Sequence, residues 1–204
     1  MKIGEAQQIY RQQVQSYRKE SEAVSKQLAQ VQTKMKYASK EDREHYKSEA
    51  ATLELTLEAL DDQKSEYEAY LERLSEQYCA HWNKVADQQQ KEAAKQYARD
   101  LGKIMEVARR IMRGDIVPAS DEKKLMDFNR EMYQTAKDIG AMVQREKRKK
   151  YDSLWGDEET KESEDPKEAA QNAHAGSEGP QIVDAADTIA SVPGASLQES
   201  NSTD

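Results

Sequence analysis

VSKQLAQVQTKMKYASKEDREHYKSEAATLELTL, residues 24–57, mirrors its apolar positions about residues 40 and 41. On both sides of this point the apolar residues recur at alternating spacings of three and four, which is the spacing of a coiled-coil seam. Folding the chain back here brings these residues into facing pairs: Val24 with Leu57, Leu28 with Leu53, Val31 with Ala50, and Met35 with Tyr46. Two such runs joined by a short turn predict an antiparallel coiled-coil hairpin.

The same pairing continues toward the start of the chain, with three further facing pairs: Val14 with Tyr67, Tyr10 with Leu71, and Ile3 with Tyr78. We therefore expect a first helix over about residues 5–37 and a second helix that starts at about residue 40. Ser39 is a favourable N-cap residue for the second helix, and Asp42 occupies the capping-box position three residues later.

The second helix is expected to extend to about residue 112. Its apolar stripe weakens after Tyr78, loses phase over residues 87–90 and resumes at Ala94. No glycine or proline interrupts this part of the chain, which favours one continuous helix with a phase slip. The alternative is a true break in which Asp87 caps a new helix, and the sequence leaves both alternatives open.

Residues 113–120, RGDIVPAS, are expected to end the long helix, because Gly114 suits the left-handed position after a helix and Pro118 prevents continuation. A third helix follows over about residues 120–150 and is expected to pack back on the second half of the long helix. The predicted pairs are Ile111 with Leu125, Ala108 with Phe128, Ile104 with Met132, and Tyr97 with Ile139. These elements together predict an all-α domain over residues 1–155.

Charge separates this domain from the rest of the chain. Residues 151–204 contain 13 acidic and 2 basic side chains, whereas residues 1–150 contain 26 acidic and 29 basic ones. The helical periodicity stops at about residue 156, and Glu, Asp, Ser, Gly and Pro are frequent beyond it. A segment of this composition buries too little apolar surface to offset its loss of conformational entropy. We therefore expect residues 156–204 to form a disordered acidic tail.

Catalytic chemistry finds little support in the sequence, because it needs polar groups that converge in a pocket. The chain has one cysteine and three histidines, and Cys79 and His81 are two positions apart on a helix, so they point in different directions. No further Cys/His cluster completes a tetrahedral metal site, and no glycine-rich phosphate loop is present. We expect a protein that is not an enzyme and that uses no cofactor and no metal.

The cellular location is predicted from the same residues. A single cysteine excludes an internal disulfide, which fits a reducing compartment. The start of the sequence has no apolar stretch of the kind found in secretion signals, and no run is long enough to cross a bilayer. The sequence therefore predicts a cytoplasmic protein with no membrane partner.

Two groups of residues are candidates for binding a partner protein. Tyr151, Leu154 and Trp155 place aromatic and apolar side chains among acids, a format that docks into grooves; alternatively they complete the packing of the third helix. Ile182 and Ile189, with alanines between them, recur at helical spacing between two prolines and could fold on a partner.

A basic segment offers the alternative of nucleic-acid binding. Its cations could contact phosphates, or they could simply offset the dipole at a helix C-terminus. The residues concerned are Arg145, Lys147, Arg148, Lys149 and Lys150. The acidic residues that follow would compete with any polyanion, so nucleic acid is the less favoured partner.

The hairpin seam itself contains polar layers at Gln7 and Ser21, and Tyr70 lies beside the seam instead of in it. A seam of this kind could be completed by a partner or by a second copy of the chain. The sequence therefore favours a non-enzymatic helical interaction protein, an adaptor, chaperone or scaffold, that binds another protein or self-associates as a homo-oligomer. The alternative is a nucleic-acid-associated helical protein that uses residues 145–150.

Overall fold

A computed structural model describes residues 1–143, 148–156 and 163–195. The described part of the chain is all-α and contains no β-strand, only two isolated β-bridges. Its six helices are α1 (Ile3–Tyr37), α2 (Lys40–Met112), α3 (Ala119–Phe128), α4 (Arg130–Met142), α5 (Pro166–Asn172) and α6 (Ala185–Ala190). The expected all-α fold with two long helices at its start is confirmed.

The chain divides into two compact units. Unit 1 comprises residues 1–83 and 165–204, and unit 2 comprises residues 84–164. Helix α2 is a single α-helix that contributes residues to both units. This agrees with the predicted continuous helix with a phase slip and not with a break at Asp87.

Unit 1 is built on the hairpin of α1 and the first half of α2. Ser39 caps α2 as expected, since its hydroxyl oxygen accepts a hydrogen bond from the Asp42 amide at 3.2 Å. The ring of Tyr67 lies between the rings of Tyr10 and Tyr17, with centroid distances of 5.6 Å and 5.5 Å. This is the position opposite Val14 that the mirrored pattern predicts, so the register of the hairpin agrees with the sequence at its centre.

Unit 1 also contains a third layer, formed by residues 165–195. Helices α5 and α6 lie in this part of the chain, and both pack on α1. Ala185 and Ile189 of α6 belong to the same buried core as Tyr17 and Leu60 of the hairpin. Residues 163–195 therefore differ from the expected disordered acidic tail, while residues 157–162 and 196–204 of that tail lie outside the described part of the chain.

Unit 2 begins where α2 passes residue 84 and turns back after Gly114. Gly114 has a φ of 73°, so the expected left-handed cap of α2 is present. Two helices follow in place of one helix over residues 120–150, because the chain is extended at Asn129. The Asn129 side chain accepts a hydrogen bond from the Met132 amide at 2.8 Å and so caps α4.

The break at Asn129 changes the packing of unit 2. The Tyr133 hydroxyl donates to Glu122 at 3.1 Å, and Lys137 forms an ion pair with the same carboxylate, so α4 folds back along α3. Gly140 then packs on the end of α2, where an added Cβ would lie 3.2 Å from the Ile111 carbonyl carbon and still closer to its oxygen.

The predicted pairing of Tyr97 with Ile139 is therefore wrong, and both side chains are exposed. Phe128, predicted to face Ala108, is also exposed, because the last turn of α3 lies just before the break. Leu125 and Ile111 do share the core of unit 2, and Met132 packs against the same cluster, which contains its predicted partner Ile104. The predicted pairing therefore fails at Phe128 and Ile139 but not at Leu125 or Met132.

Candidate protein-binding surface

One face of the hairpin carries four tyrosines, Tyr10 and Tyr17 of α1 and Tyr67 and Tyr70 of α2, which we call the tyrosine row. All four side chains are buried. Tyr10 and Tyr70 contact each other edge to face with ring centroids 4.7 Å apart, and Tyr17 and Tyr67 are arranged in the same way. Such contacts fix the rings and leave each hydroxyl at the outer edge of the seam.

The hydroxyls of the tyrosine row bind the backbone of a single segment, residues 173–195, which we call the docked segment. Each hydroxyl donates to a main-chain carbonyl: Tyr10 to Pro180 at 2.6 Å, Tyr17 to Val183 at 3.0 Å, Tyr67 to Gln181 at 3.0 Å, and Tyr70 to Ser177 at 3.0 Å. The Tyr67 oxygen also accepts a hydrogen bond from the Val183 amide at 2.9 Å. The hairpin thus satisfies the polar backbone of a segment that has no sheet partner of its own.

Burial raises the pKa of three of these hydroxyls, those of Tyr10, Tyr17 and Tyr70, because an ionised phenolate is poorly solvated under the docked segment. Desolvation raises the pKa of Tyr17 to about 12, against an opposing hydrogen bond from Thr188. Desolvation also raises the pKa of Tyr10 and of Tyr70, and the neighbouring tyrosines add to the effect at Tyr10. These hydroxyls therefore stay protonated, as hydrogen-bond donors must be, throughout the physiological range.

The non-helical part of the docked segment, before α6, approaches the tyrosine row closely at Gly179. An added Cβ at this position would lie 2.6 Å from Cζ of Tyr10 and 2.7 Å from Cε1 of Tyr70. Any side chain here would collide with two rings that are themselves fixed by their neighbours. Glycine is therefore required where the segment crosses between Tyr10 and Tyr70.

The second part of the docked segment is the short helix α6. Asp184 caps it, since its carboxylate accepts from the Ala186 amide at 2.9 Å. Ala185, Ile189 and Val192 are buried, and Ala185 and Ile189 join the hairpin core. The helix is too short to be stable alone, so its order depends on this apolar contact.

The docked segment is also held at its beginning. The Ile3 amide donates to the Ala173 carbonyl at 2.8 Å, and the Ala175 amide donates to the Met1 carbonyl at 3.0 Å. Farther along, the Gly176 amide donates to Oε1 of Gln77 at 2.9 Å. The segment therefore follows the hairpin from Gln77 to Thr52, which lies 3.8 Å from the position of an added Cβ at Gly194.

The predicted partner-binding residues of this segment have different environments. Ile189 is buried against the hairpin, whereas Ile182 is 45% exposed. The helical spacing noted in the sequence is thus used within the chain at Ile189. Whether either residue also binds a partner stays a prediction.

Tyr151, Leu154 and Trp155 lie in unit 2. The Arg110 guanidinium is 4.0 Å from the ring centroid of Tyr151, and the Trp155 indole donates to Asp100 at 3.0 Å. Leu154 and Trp155 pack on the buried cluster of this unit. These three residues are therefore used in packing, and their role in partner binding stays a prediction.

A buried carboxylate holds this part of unit 2 in place. Asp121 is 1% exposed and accepts hydrogen bonds from the Ser153 hydroxyl at 2.6 Å and the Leu154 amide at 2.9 Å. Hydrogen bonds to a charged acceptor are stronger than neutral ones, which compensates for the burial of the carboxylate. Residues 153–155 are thus fixed to the start of α3.

The basic segment is only partly within the described residues. Arg145 and Lys147 lie outside them, whereas Arg148, Lys149 and Lys150 are exposed and are not helical. The Lys149 carbonyl accepts from the Ile116 amide at 2.8 Å, so the backbone of this stretch is tied to the turn after α2.

Sequence reasoning identified Tyr70 as a tyrosine beside the seam but did not identify the tyrosine row or Gly179. The available signal was the presence of three tyrosines at seam positions, and of Tyr70 beside them, whose hydroxyls need partners when buried. Over the ranges that the structure describes, no group of three or more His, Cys, Asp and Glu side chains could hold a metal ion. Within the same ranges no helix has both the length and the apolar character needed to cross a bilayer.

Comparison with known proteins gives no relatives: no family model, no curated protein and no solved structure matches this chain. The geometry of the tyrosine row and its docked segment is therefore the basis on which a function is proposed.

Proposed function

We propose that this chain is a non-enzymatic helical interaction protein, an adaptor, chaperone or scaffold of the cytoplasm. Its binding surface is the tyrosine row of the α1–α2 hairpin, and the ligand is a polypeptide segment of another protein. Such a role requires neither a cofactor nor a metal.

One observation supports this proposal above the others. The tyrosine row binds the docked segment mainly through main-chain carbonyls, which every polypeptide offers. Apolar pockets for alternate side chains, such as the one filled by Ile189, then supply selectivity. This combination of backbone hydrogen bonds and a few anchored side chains is typical of peptide-binding modules.

The test releases the docked segment and asks what takes its place. An Ile189→Asp chain buries an unpaired carboxylate in the core of unit 1, which displaces α6. We expect this chain to retain a specific protein from its native cytoplasm, to be identified by mass spectrometry and then purified for a binary binding measurement.

The control variants separate the tyrosine row from the rest of the surface. In the Ile189→Asp background, Tyr67→Asp should abolish the binary interaction, because it places a charge at the centre of the row. Tyr37→Ala should leave it unchanged, since Tyr37 is 88% exposed at the end of α1. Equal binding by both variants, or no captured protein although the helices persist by circular dichroism, would contradict the proposal.

A further inference from the structure

We propose that the tyrosine row selects a partner peptide with glycine at one fixed position, followed by a short capped amphipathic helix, and that residues 176–192 of this chain compete with that peptide. This inference rests on the proposed function and specifies the ligand of the same surface. The partner is a neutral or acidic segment of another protein.

The main-chain contacts position such a ligand without reading its sequence. The accepted carbonyls belong to Ser177, Pro180, Gln181 and Val183, so the tyrosine row holds a non-helical stretch of seven residues, 177–183. Because Pro180 lacks an amide hydrogen, it adds no unsatisfied donor at this half-buried position. A partner must offer carbonyl groups over the same length.

The strongest selection by the surface is for glycine at the position of Gly179. The ring carbons of Tyr10 and Tyr70 lie 2.6 Å and 2.7 Å from the place of an added Cβ at Gly179. Tyr10 is held by Tyr67 as well, so the ring cannot turn aside without disrupting a second contact. A peptide with alanine at this position must either shift along the row or push the rings apart.

The helical part of the ligand is selected by its cap and its apolar spacing. Asp184 caps α6, and the buried residues Ala185, Ile189 and Val192 follow at spacings of four and three. The partner therefore needs Asp, Ser, Thr or Asn as a cap, a small residue directly after it, and branched apolar residues four and seven positions later. Residues 176–192 contain three acidic and no basic side chains, so we expect the partner segment to be neutral or acidic as well.

Competition follows from the covalent connection. A tethered ligand acts at an effective concentration in the millimolar range, so a free peptide of equal intrinsic affinity cannot displace it at micromolar concentration. Binding of the partner is thus coupled to release of residues 176–192.

The experiment uses full-length chains and two fluorescein-labelled synthetic peptides. One peptide has the sequence of residues 173–195, and the other carries Gly179→Ala within that sequence. Each is titrated by fluorescence anisotropy against the wild-type chain, a Gly179→Ala chain and a control Gly176→Ala chain. The control is matched, because an added Cβ at Gly176 meets only the Gln77 side-chain amide, at 3.3 Å.

We expect the unmodified peptide to bind the Gly179→Ala chain, whose own segment no longer fits. Binding to the wild-type and Gly176→Ala chains should be weaker by on the order of 100-fold, as expected for a tethered competitor. The alanine peptide should bind the Gly179→Ala chain at least about tenfold more weakly than the unmodified peptide, given the usual cost of overpacking.

Each contrary result has a distinct meaning. Equal affinity of the two peptides overturns the selection of glycine but leaves the proposed function standing. Equal binding of the unmodified peptide to all three chains overturns the competition. No binding of either peptide to the Gly179→Ala chain, when limited proteolysis shows that its own segment is released, overturns the proposed function itself.

A second chain variant keeps the test decisive if Gly179→Ala loses its helical circular dichroism. Ile189→Ala weakens the docked segment by removing one buried side chain, and the same order of affinities is expected with it. If the intact wild-type chain binds the Gly179→Ala chain with the same affinity as the free peptide, the ligand of the tyrosine row is a second copy of the chain. The proposal that the ligand belongs to a different protein is then overturned.

Discussion

Replacing Tyr67 by phenylalanine removes one oxygen atom from the centre of the tyrosine row. That oxygen donates a hydrogen bond to the Gln181 carbonyl at 3.0 Å and accepts one from the Val183 amide at 2.9 Å. The phenylalanine ring keeps the contacts with Tyr10 and Tyr17, whose ring centroids lie 5.6 Å and 5.5 Å away. The substitution therefore isolates the hydrogen bonds from the packing.

The magnitude follows from two part-buried backbone groups that lose their partner. A net contribution of about 1 kcal/mol for each hydrogen bond is usual, and a buried group left unsatisfied costs about 1–3 kcal/mol. We expect Tyr67→Phe to make the docking of residues 173–195 less favourable by about 2–3 kcal/mol. The matched control is Tyr37→Phe, which removes a hydroxyl from an 88% exposed side chain and should change stability by less than about 0.5 kcal/mol.

Native-state hydrogen exchange of the Thr188 amide measures this free energy, because this amide donates to the Asp184 carbonyl within α6, which is too short to persist when the segment undocks. In Tyr67→Phe the exchange rate of Thr188 should rise by at least about 30-fold, the factor that corresponds to 2 kcal/mol. Far-UV circular dichroism should be unchanged in both variants. Unaltered protection of Thr188 in Tyr67→Phe would show that the tyrosine row does not hold the segment by its backbone.

Three further predictions concern other parts of the molecule. Gly140→Ala should destabilise unit 2 by about 1–3 kcal/mol, because its Cβ would collide with the Ile111 carbonyl. The control Gly102→Ala lies in the same unit, meets nothing within 4 Å, and should stabilise the unit by up to about 1 kcal/mol. Urea denaturation that gave both substitutions the same sign would contradict this prediction. Asp121→Ala should lower the free energy of unfolding of unit 2 by about 2–4 kcal/mol, because Ser153 and Leu154 lose their hydrogen-bond acceptor. The Trp155 fluorescence emission should shift to longer wavelength, whereas Asp127→Ala, at an exposed position, serves as the control. Unchanged emission in Asp121→Ala would show that Asp121 does not fix residues 153–155. Raising the pH should release the docked segment: the folded-state pKa of Tyr17 lies above the ordinary 10.0, at about 12, so its contribution is complete below pH 10 and is lost as the pH rises through about 12. Tyrosinate absorbance should then appear together with proteolytic cleavage of residues 173–195, and titration of every tyrosine near its ordinary pKa without cleavage would exclude the effect.

The first hairpin could be predicted because its information is local and repeated. Apolar residues such as Val24 and Leu57 recur on both sides of a capped turn at Ser39, and one register satisfies all of them. The end of α2 was predictable for the same reason, because Gly114 and Pro118 act through their own backbone preferences.

The break between α3 and α4 was not predictable from propensity alone. Asn129 stands among good helix formers, and its cost inside a helix is a fraction of a kcal/mol. The structure gains more by letting Asn129 cap α4, so that Glu122 meets Tyr133 and Lys137 while Gly140 packs on Ile111. These gains come from residues that are distant from Asn129 along the chain.

The docked segment lay beyond the sequence argument for a related reason. Its apolar residues are mostly alanines, with two isoleucines and two valines and no Phe, Trp or Tyr, and the criterion for disorder counts the surface that a segment can bury by itself. Here the segment completes an apolar core that the hairpin already provides, and phenolic hydroxyls satisfy its carbonyls. The pattern of apolar residues in a sequence carries no information about such hydrogen bonds. The helical spacing that includes Ile189 did, however, indicate the part of the segment that enters the core.

The separation of these contacts along the chain sets an order of events during protein synthesis. Tyr70 and Ser177 are 107 residues apart, and Tyr10 and Pro180 are 170 apart. At a translation rate of about 5–20 residues per second, the ribosome completes the hairpin roughly 5–20 s before it supplies the segment that covers it. A nascent chain therefore displays uncovered phenol rings to the cell for that interval, and a ligand present at the ribosome could bind with no competitor in place.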